Sequence, residues 1–242
     1  MRVAPTLAGL LLVSASAFAQ AGPIDRWGGF KEGSWVKAKI THEVNGKKQE
    51  IETTRTVSQI QADQIVLSVE NSSGAKGALF RMRRDLLSAI GSTNAVVVEK
   101  KDLDVEEIPV GSKILKCSTH ELHWKLSKDA KTVDTLKLWE SDEAPGRLVK
   151  VEGTFHDAGV KEGRGWKHSG KITALDEKMT VAGKELSCAL FESTATGPGQ
   201  WTDKVWISRD LPGMILRSLG HRDDGTKKES TEWSVVEFEA KK

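Results

Sequence analysis

The residues of this chain best suited to chemistry are six histidines, two cysteines and a few paired carboxylates. His120-Glu121-Leu122-His123 brings two imidazoles and a carboxylate together. A helical zinc site needs its histidines at i and i+4, sharing one face, with Glu between them. Here the spacing is three, and a strand sends positions i and i+3 to opposite faces. The pair therefore reads as strand histidines, with no metal site. His156-Asp157 offers a base and a carboxylate to orient it, but no motif ties a nucleophile to it. His42, His168 and His221 fall near expected strand ends. Asp142-Glu143 and Asp223-Asp224 sit beside turns, where carboxylates are solvated. Acid–base work needs burial to move one of the two. No G-x-S-x-G, P-loop or G-x-G-x-x-G motif occurs. Gly163-Arg164-Gly165 and Gly197-Pro198-Gly199 read as flexible loops. The expectation is a protein that is not an enzyme, with no catalytic set, no metal and no cofactor. An exported hydrolase would require His, Asp or Glu side chains converging in one cleft.

The elements that carry these residues read as strands. Trp35 to Thr41 alternates strand formers with polar residues, and Asn45-Gly46 follows, the sequence of a type I′ hairpin turn. Alternation resumes over 50–58 and again over 65–69. Leu79, Met82, Leu86 and Ile90 stand near helical spacing, which predicts a short helix over 79–90 ended by Gly91.

The second half contains an internal repeat. Aligning 106–117 with 177–188 matches Glu106/Glu177, Val110/Val181, Lys113/Lys184, Leu115/Leu186 and Cys117/Cys188. Aligning 135–153 with 202–220 matches Thr135/Thr202, Lys137/Lys204, Trp139/Trp206, Ser141/Ser208, Pro145/Pro212, Gly146/Gly213 and Gly153/Gly220. These are 12 identities over 31 positions, where ordinary composition gives roughly 2. Each unit reads as four strands. Its Pro-Gly pair signals a type II turn, with Pro fixing φ at i+1 and Gly supplying positive φ at i+2. Asp224-Gly225 is a further hairpin candidate. The expected fold is mainly β, a large curved antiparallel sheet, half-barrel or sandwich-like, with at most one or two short helices. The repeat units, about 106–153 and 177–220, lie within a single domain spanning 20–242.

Trp139 and Trp206 recur beside the repeated turn. They read as anchors covering the sheet core, or as stacking platforms for a ligand. Cys117 and Cys188 admit two readings as well. Export favours a disulfide. Yet equivalent places in consecutive four-strand units lie about 19 Å apart in a flat sheet, and a bridge needs Cα atoms within about 7 Å. A bridge therefore requires a sheet that rolls up or faces a second one. Otherwise the thiols are separate and buried.

Composition narrows the function classes. With 38% hydrophobic and 29% charged residues, the chain is neither polytopic nor a charged disordered polymer. The formal net charge of +2 argues against nucleic acid, which favours a strong basic excess. Arg81, Arg83 and Arg84 beside Phe80 form a local basic cluster and read as a solvated face. Met1-Arg2, an apolar run over 7–13 and Ala17-Phe18-Ala19 read as a secretory signal peptide over 1–19, cleaved between Ala19 and Gln20. Its apolar core is too short to span a bilayer. Removing 19 of the 242 residues leaves 223, and no transmembrane segment in the mature chain. The expected location is the periplasm or the cell exterior.

The best copy of the repeated element runs Val181-Ala182-Gly183-Lys184-Glu185-Leu186-Ser187-Cys188, then Lys204-Val205-Trp206-Ile207-Ser208 to Pro212-Gly213-Met214-Ile215-Leu216-Arg217. Over about 106–238 it resembles a family of exported bacterial β-proteins similar to LolA-like periplasmic lipid or lipoprotein carriers. That resemblance implies a half-open curved sheet holding acyl chains against an apolar inner face. It carries over no ligand residue, because the shared positions are turn and core positions. Two functions follow as expectations. One is a non-enzymatic exported protein binding an apolar ligand such as lipid. The other is an envelope structural or protein-interaction module with a filled core and an envelope protein as partner.

Overall fold

The computed structural model describes residues 24–73, 77–86, 95–156 and 165–242. The expected signal peptide and its expected cleavage point at Ala19 and Gln20 lie outside the described residues, as do Asp157, Gly163 and Arg164.

Thirteen strands are described, and all belong to one sheet. The first four are β1 (Trp35–Val44), β2 (Lys47–Ile60), β3 (Gln64–Asn71) and β4 (Ala78–Arg83). The next four are β5 (Val96–Val110), β6 (Lys113–Lys125), β7 (Asp134–Glu140) and β8 (Leu148–Phe155). Then come β9 (Trp166–Val181), β10 (Lys184–Thr196), β11 (Gln200–Ile207), β12 (Ile215–Asp223) and β13 (Lys228–Glu239). Their order is β4-β3-β2-β1-β13-β12-β11-β10-β9-β8-β7-β6-β5, with every neighbouring pair antiparallel. Local hairpins explain all pairings except one, since β1 pairs with β13. The two free edges are therefore β4 and β5, consecutive strands that do not pair with each other.

The sheet is one large antiparallel sheet, curved and not closed. Cα atoms of β9 come within 8 Å of both β5 and β13, each four places away in the order. In a flat sheet those strands stand about 19 Å apart. The turns follow their sequences. Asn45 and Gly46 have φ of +48° and +80°, as a type I′ turn requires. Arg147 N–H bonds to the Ala144 carbonyl at 3.0 Å around Pro145 and Gly146, and Gly146 has φ +70°. Met214 N–H bonds to the Leu211 carbonyl at 2.8 Å around Pro212 and Gly213, with φ +78° at Gly213. The loop after Asp223 is longer than a two-residue hairpin, because Asp223 pairs with Lys228. There the Asp224 carboxylate accepts the N–H groups of Thr226 and Lys227.

Over 79–83 the expected helix is replaced by a strand. Residues 78–83 are β4, paired with β3 from Gln64↔Arg83 to Val69↔Ala78. Docking there satisfies the backbone edge that β3 presents, which outweighs a weak helical pattern. Residues 87–91 lie outside the described residues.

Apolar residues form two clusters. The larger holds Leu122, Trp124, Leu138, Val151, Trp166, Ile172, Phe191 and Val205, among others. The second holds Trp27, Val36, Ile65, Leu67, Leu211 and Leu216, among others. Fully burying a side chain such as Phe191 contributes roughly 1.5–3 kcal/mol. The segment just before β1 links the repeated turns. Ile24 N–H bonds to the Gly146 carbonyl at 2.8 Å, and the Trp27 ring lies against Gly213.

Candidate functional site

Equivalent residues of the two repeat units make equivalent contacts. Trp139 Nε1–H donates to Glu106 at 2.9 Å, and Trp206 Nε1–H donates to Glu177 at 2.7 Å. The Lys150 ammonium lies 4.2 Å over the Trp139 ring, and the Arg217 guanidinium 5.6 Å over Trp206. A bulge follows each Trp, between Trp139 and Glu140 and between Trp206 and Ile207. The bond from Trp139, with help from Lys137, holds the Glu106 carboxyl below its ordinary range. Trp139 is buried, so its ring is covered by its own neighbours.

Cys117 and Cys188 are free, buried and in different clusters. The sheet rolls, yet it does not bring them together. Burial pushes both thiols up to about 11, beside Glu106 and Glu177 respectively. A thiol at that value is protonated and unreactive at neutral pH.

The other polar residues singled out above are mostly paired locally. His120 Nδ1 lies 2.6 Å from Asp102, and His123 lies 3.2 Å from both Glu99 and Glu121. Among the described residues, no group of three or more His, Cys, Asp or Glu is placed to hold a metal ion. His156 is oriented by Asp134, which receives its backbone N–H at 3.2 Å and its ring Nδ1 at 2.7 Å. Asp134 is buried, and its spacing from His156 gave no sequence signal. Arg83 pairs with Asp85, and Arg84 with Asp25 at 3.0 Å.

One part of the inner wall differs from the rest of the core. The register places His168, Ala195, Trp201, Arg222 and Glu229 in one row across β9–β13. The adjacent row is Gly170, Ser193, Asp203, Gly220, Thr231 and His42. Cross-strand partners share a face, so a polar band crosses the wall beside Phe191 and Val205. Trp166 is 2% exposed, Asp203 4% and His168 6%. Trp166 Nε1, His168 Nε2, Asp203 Oδ1 and Arg222 Nε are buried without a hydrogen-bond partner. Buried polar atoms left unpaired are rare and costly. Burial pushes the Asp203 carboxyl up to about 7, opposed by the neighbouring Trp201 N–H. Burial pushes the His168 imidazole down to about 4, so it is neutral at physiological pH. The Arg222 guanidinium lies 5.5 Å from the Trp166 ring and 5.8 Å from the Trp201 ring. Gly220 makes room for this arrangement, because a Cβ there would stand 2.6 Å from Asp203 Oδ1.

At the strand ends beside this band lies a cleft of about 540 Å³. Its lining includes Arg222, Glu229, Gln200, Lys228 and the Asn45-Gly46 turn. Glu229 is engaged by His42 at 2.5 Å and Lys227 at 3.0 Å, and Asp223 by Lys228 at 3.5 Å.

The seam between the free edges is the other distinctive surface. Its base is tied by Arg83 Nη1 donating to the Ala95 carbonyl at 2.7 Å. Above that bond β4 and β5 separate. Leu79 is 69% exposed, Phe80 37%, Val98 54% and Val105 54%. Phe80 shares a face with buried Leu67, and Val97 shares one with buried Trp124.

No family model matches the chain, and no curated protein matches it. Solved structures similar to the chain are of low identity and low TM-score. The hypothetical lipoprotein YmcC from Escherichia coli is 11% identical, with TM-score 0.30, over 83% of this chain and 87% of its own. A Bacteroides fragilis protein with a YmcC-like fold is 11% identical, with TM-score 0.35, over 91% and 99%. A LolA superfamily protein from Nitrosomonas europaea is 9% identical, with TM-score 0.37, over 95% and 94%.

Proposed function

We propose that this chain is a non-enzymatic exported protein of the periplasm or cell exterior that carries an apolar ligand such as a lipid in its open half-barrel. The observation supporting this is the unclosed seam, where β4 and β5 separate and present Leu79, Phe80, Val98 and Val105 to solvent. Exposed aliphatic groups flanking a gap in a curved sheet suit an acyl chain. The leader read over 1–19 supports export, and N-terminal sequencing of the secreted product should begin at Gln20. Among the described residues, no helix is long and apolar enough to cross a membrane. Native mass spectrometry of the purified protein should show co-purified lipid, and brominated acyl chains should quench its Trp fluorescence. A protein that remains empty and unquenched across fatty acids and phospholipids would overturn the reading.

A second reading is an envelope structural or protein-interaction module. It is favoured by the packed interior, where Trp124, Leu138, Phe191 and Ile207 are almost wholly buried. Crosslinking in intact cells should then recover an envelope protein. In either reading Trp139, Pro145, Gly146, Trp206, Pro212, Gly213 and the two buried thiols serve the sheet itself.

A further inference from the structure

We infer that Arg222, held between the indoles of Trp166 and Trp201, forms an oxyanion site that takes the acidic headgroup, carboxylate or phosphate, of the carried ligand. The inference rests on the carrier reading for the source of that anion. The Arg222 side chain makes no ion pair or hydrogen bond with any described residue. Its neighbours are two ring faces at 5.5 and 5.8 Å. Ring faces attract the cation but use none of its N–H donors, which form a planar fork suited to carboxylate and phosphate.

The acids nearby do not complete the site. Glu229 is already engaged by His42 and Lys227, and Asp223 by Lys228. Glu43 lies in the row with Ser230 and His221, which alternates with the row of Arg222; it lines the same cleft but makes no ion pair with the guanidinium. Asp203, buried beside Trp201, is held largely uncharged below neutrality. Asp224, whose carboxyl Arg222 helps to hold low, already accepts the N–H groups of Thr226 and Lys227. None of these carboxylates bonds the guanidinium, so its N–H donors remain open to a ligand. Trp166, whose ring lies beside the guanidinium, also has an unpartnered buried N–H, and the neutral, unpartnered His168 Nε2 lies in the same row. Access comes from the cleft, whose lining includes Arg222. Its position on β12 also places it far from both edges in the sheet order, on the wall across from the seam. A headgroup there and an acyl chain directed toward the seam would use both features at once.

The test measures binding of laurate, dodecanol and inorganic phosphate by calorimetry to the full mature chain, as wild type, Arg222→Gln and Arg222→Lys. Laurate should bind wild type about tenfold more tightly than dodecanol, as a charge-assisted pair at a partly buried site predicts. Arg222→Gln should abolish that preference, and Arg222→Lys should retain part of it, with circular dichroism confirming that both fold. The laurate–dodecanol comparison on wild type decides the matter even where a variant does not fold. Equal binding of the two, or an unchanged preference in Arg222→Gln, would overturn the site while leaving the carrier reading standing. Phosphate binding that depends on Arg222, with neither acyl ligand bound, would support the site as one for a free oxyanion and remove the carrier reading. No binding of any probe would overturn both.

Discussion

Replacing Asp203 by Asn removes an ionisable group from the buried band and should change how stability depends on pH. The Asp203 carboxyl is pushed from 3.8 to about 7 by burial, with Trp201 N–H as a partial offset. In the unfolded chain it ionises near its ordinary value. Between about pH 4 and 7 the folded state therefore holds one proton more than the unfolded state. Its favourable contribution is complete below pH 4 and is lost as pH rises through 7. The displacement corresponds to about 4 kcal/mol in total, or about 1.4 kcal/mol per pH unit across that interval. Asn keeps the size and one acceptor oxygen but cannot ionise. Relative to wild type, Asp203→Asn should thus gain stability steadily from pH 4 to 7 and then level off. Urea unfolding of both proteins at half-unit pH intervals from 4 to 8 measures the difference curve, in which all other titrating groups cancel. A flat difference curve would refute the claim that burial without a compensating cation raises the Asp203 carboxyl. A falling one would mean that a cation stabilises its charge.

His168→Gln should show the opposite slope, because burial lowers the His168 imidazole to about 4 and its favourable contribution is lost as pH falls through that value. The same unfolding series reads a relative gain of about 3 kcal/mol toward pH 4. A double-mutant cycle on Trp139→Phe and Glu106→Gln should give a coupling of about 1–2 kcal/mol, and Trp206→Phe with Glu177→Gln a similar one. Coupling near zero in either would reduce the indole bonds to surface contacts. Gly213→Ala places a Cβ 2.8 Å from the Trp27 ring at φ +78°, whereas Gly46→Ala meets nothing within 4 Å at φ +80°. The first should lower the thermal midpoint more than the second, since both carry backbone strain of about 1 kcal/mol but only one carries a clash. Thiol titration should count two cysteines after unfolding and almost none in the native protein. A count of zero in the unfolded, unreduced protein would establish a disulfide instead.

Local signals foretold much of the sheet. Asn45-Gly46 and the two Pro-Gly pairs occupy the turns their backbone preferences demand, and period-two alternation marks most strands. The β1–β13 pairing was not legible, because no local pattern reports that residues almost 200 apart will lie side by side. Residues 79–83 form a strand and not the expected helix for a related reason. Their helical spacing competes with a pairing partner that only the tertiary fold supplies. The polar band has a sequence signal of its own. In Trp201-x-Asp203-x-Val205-x-Ile207 the alternation places Asp203 on the apolar phase of its strand. Trp166-x-His168-x-Gly170-x-Ile172 does the same for His168. A charged or titratable residue in core phase is the pattern that distinguishes them from the turn carboxylates. Asp134 could not be found as the partner of His156, because 22 residues and two strands separate them.

The junction of β1 with β13 also constrains how the chain can assemble. The segment before β1 and the residues after β13 meet there, with Lys31 N–H bonded to the Lys241 carbonyl at 2.8 Å and Lys241 N–H to Ser34 Oγ at 3.0 Å. During synthesis the first four strands emerge early, yet β1 must wait for the last strand before its second edge is paired. Until then its unmet backbone groups are open to mispairing and aggregation, and closing so long a loop slows folding. A circular permutant that joins the two ends and opens the chain between β4 and β5 would place every neighbouring strand pair in consecutive order. That rearranged chain should refold faster than the natural one while reaching the same sheet.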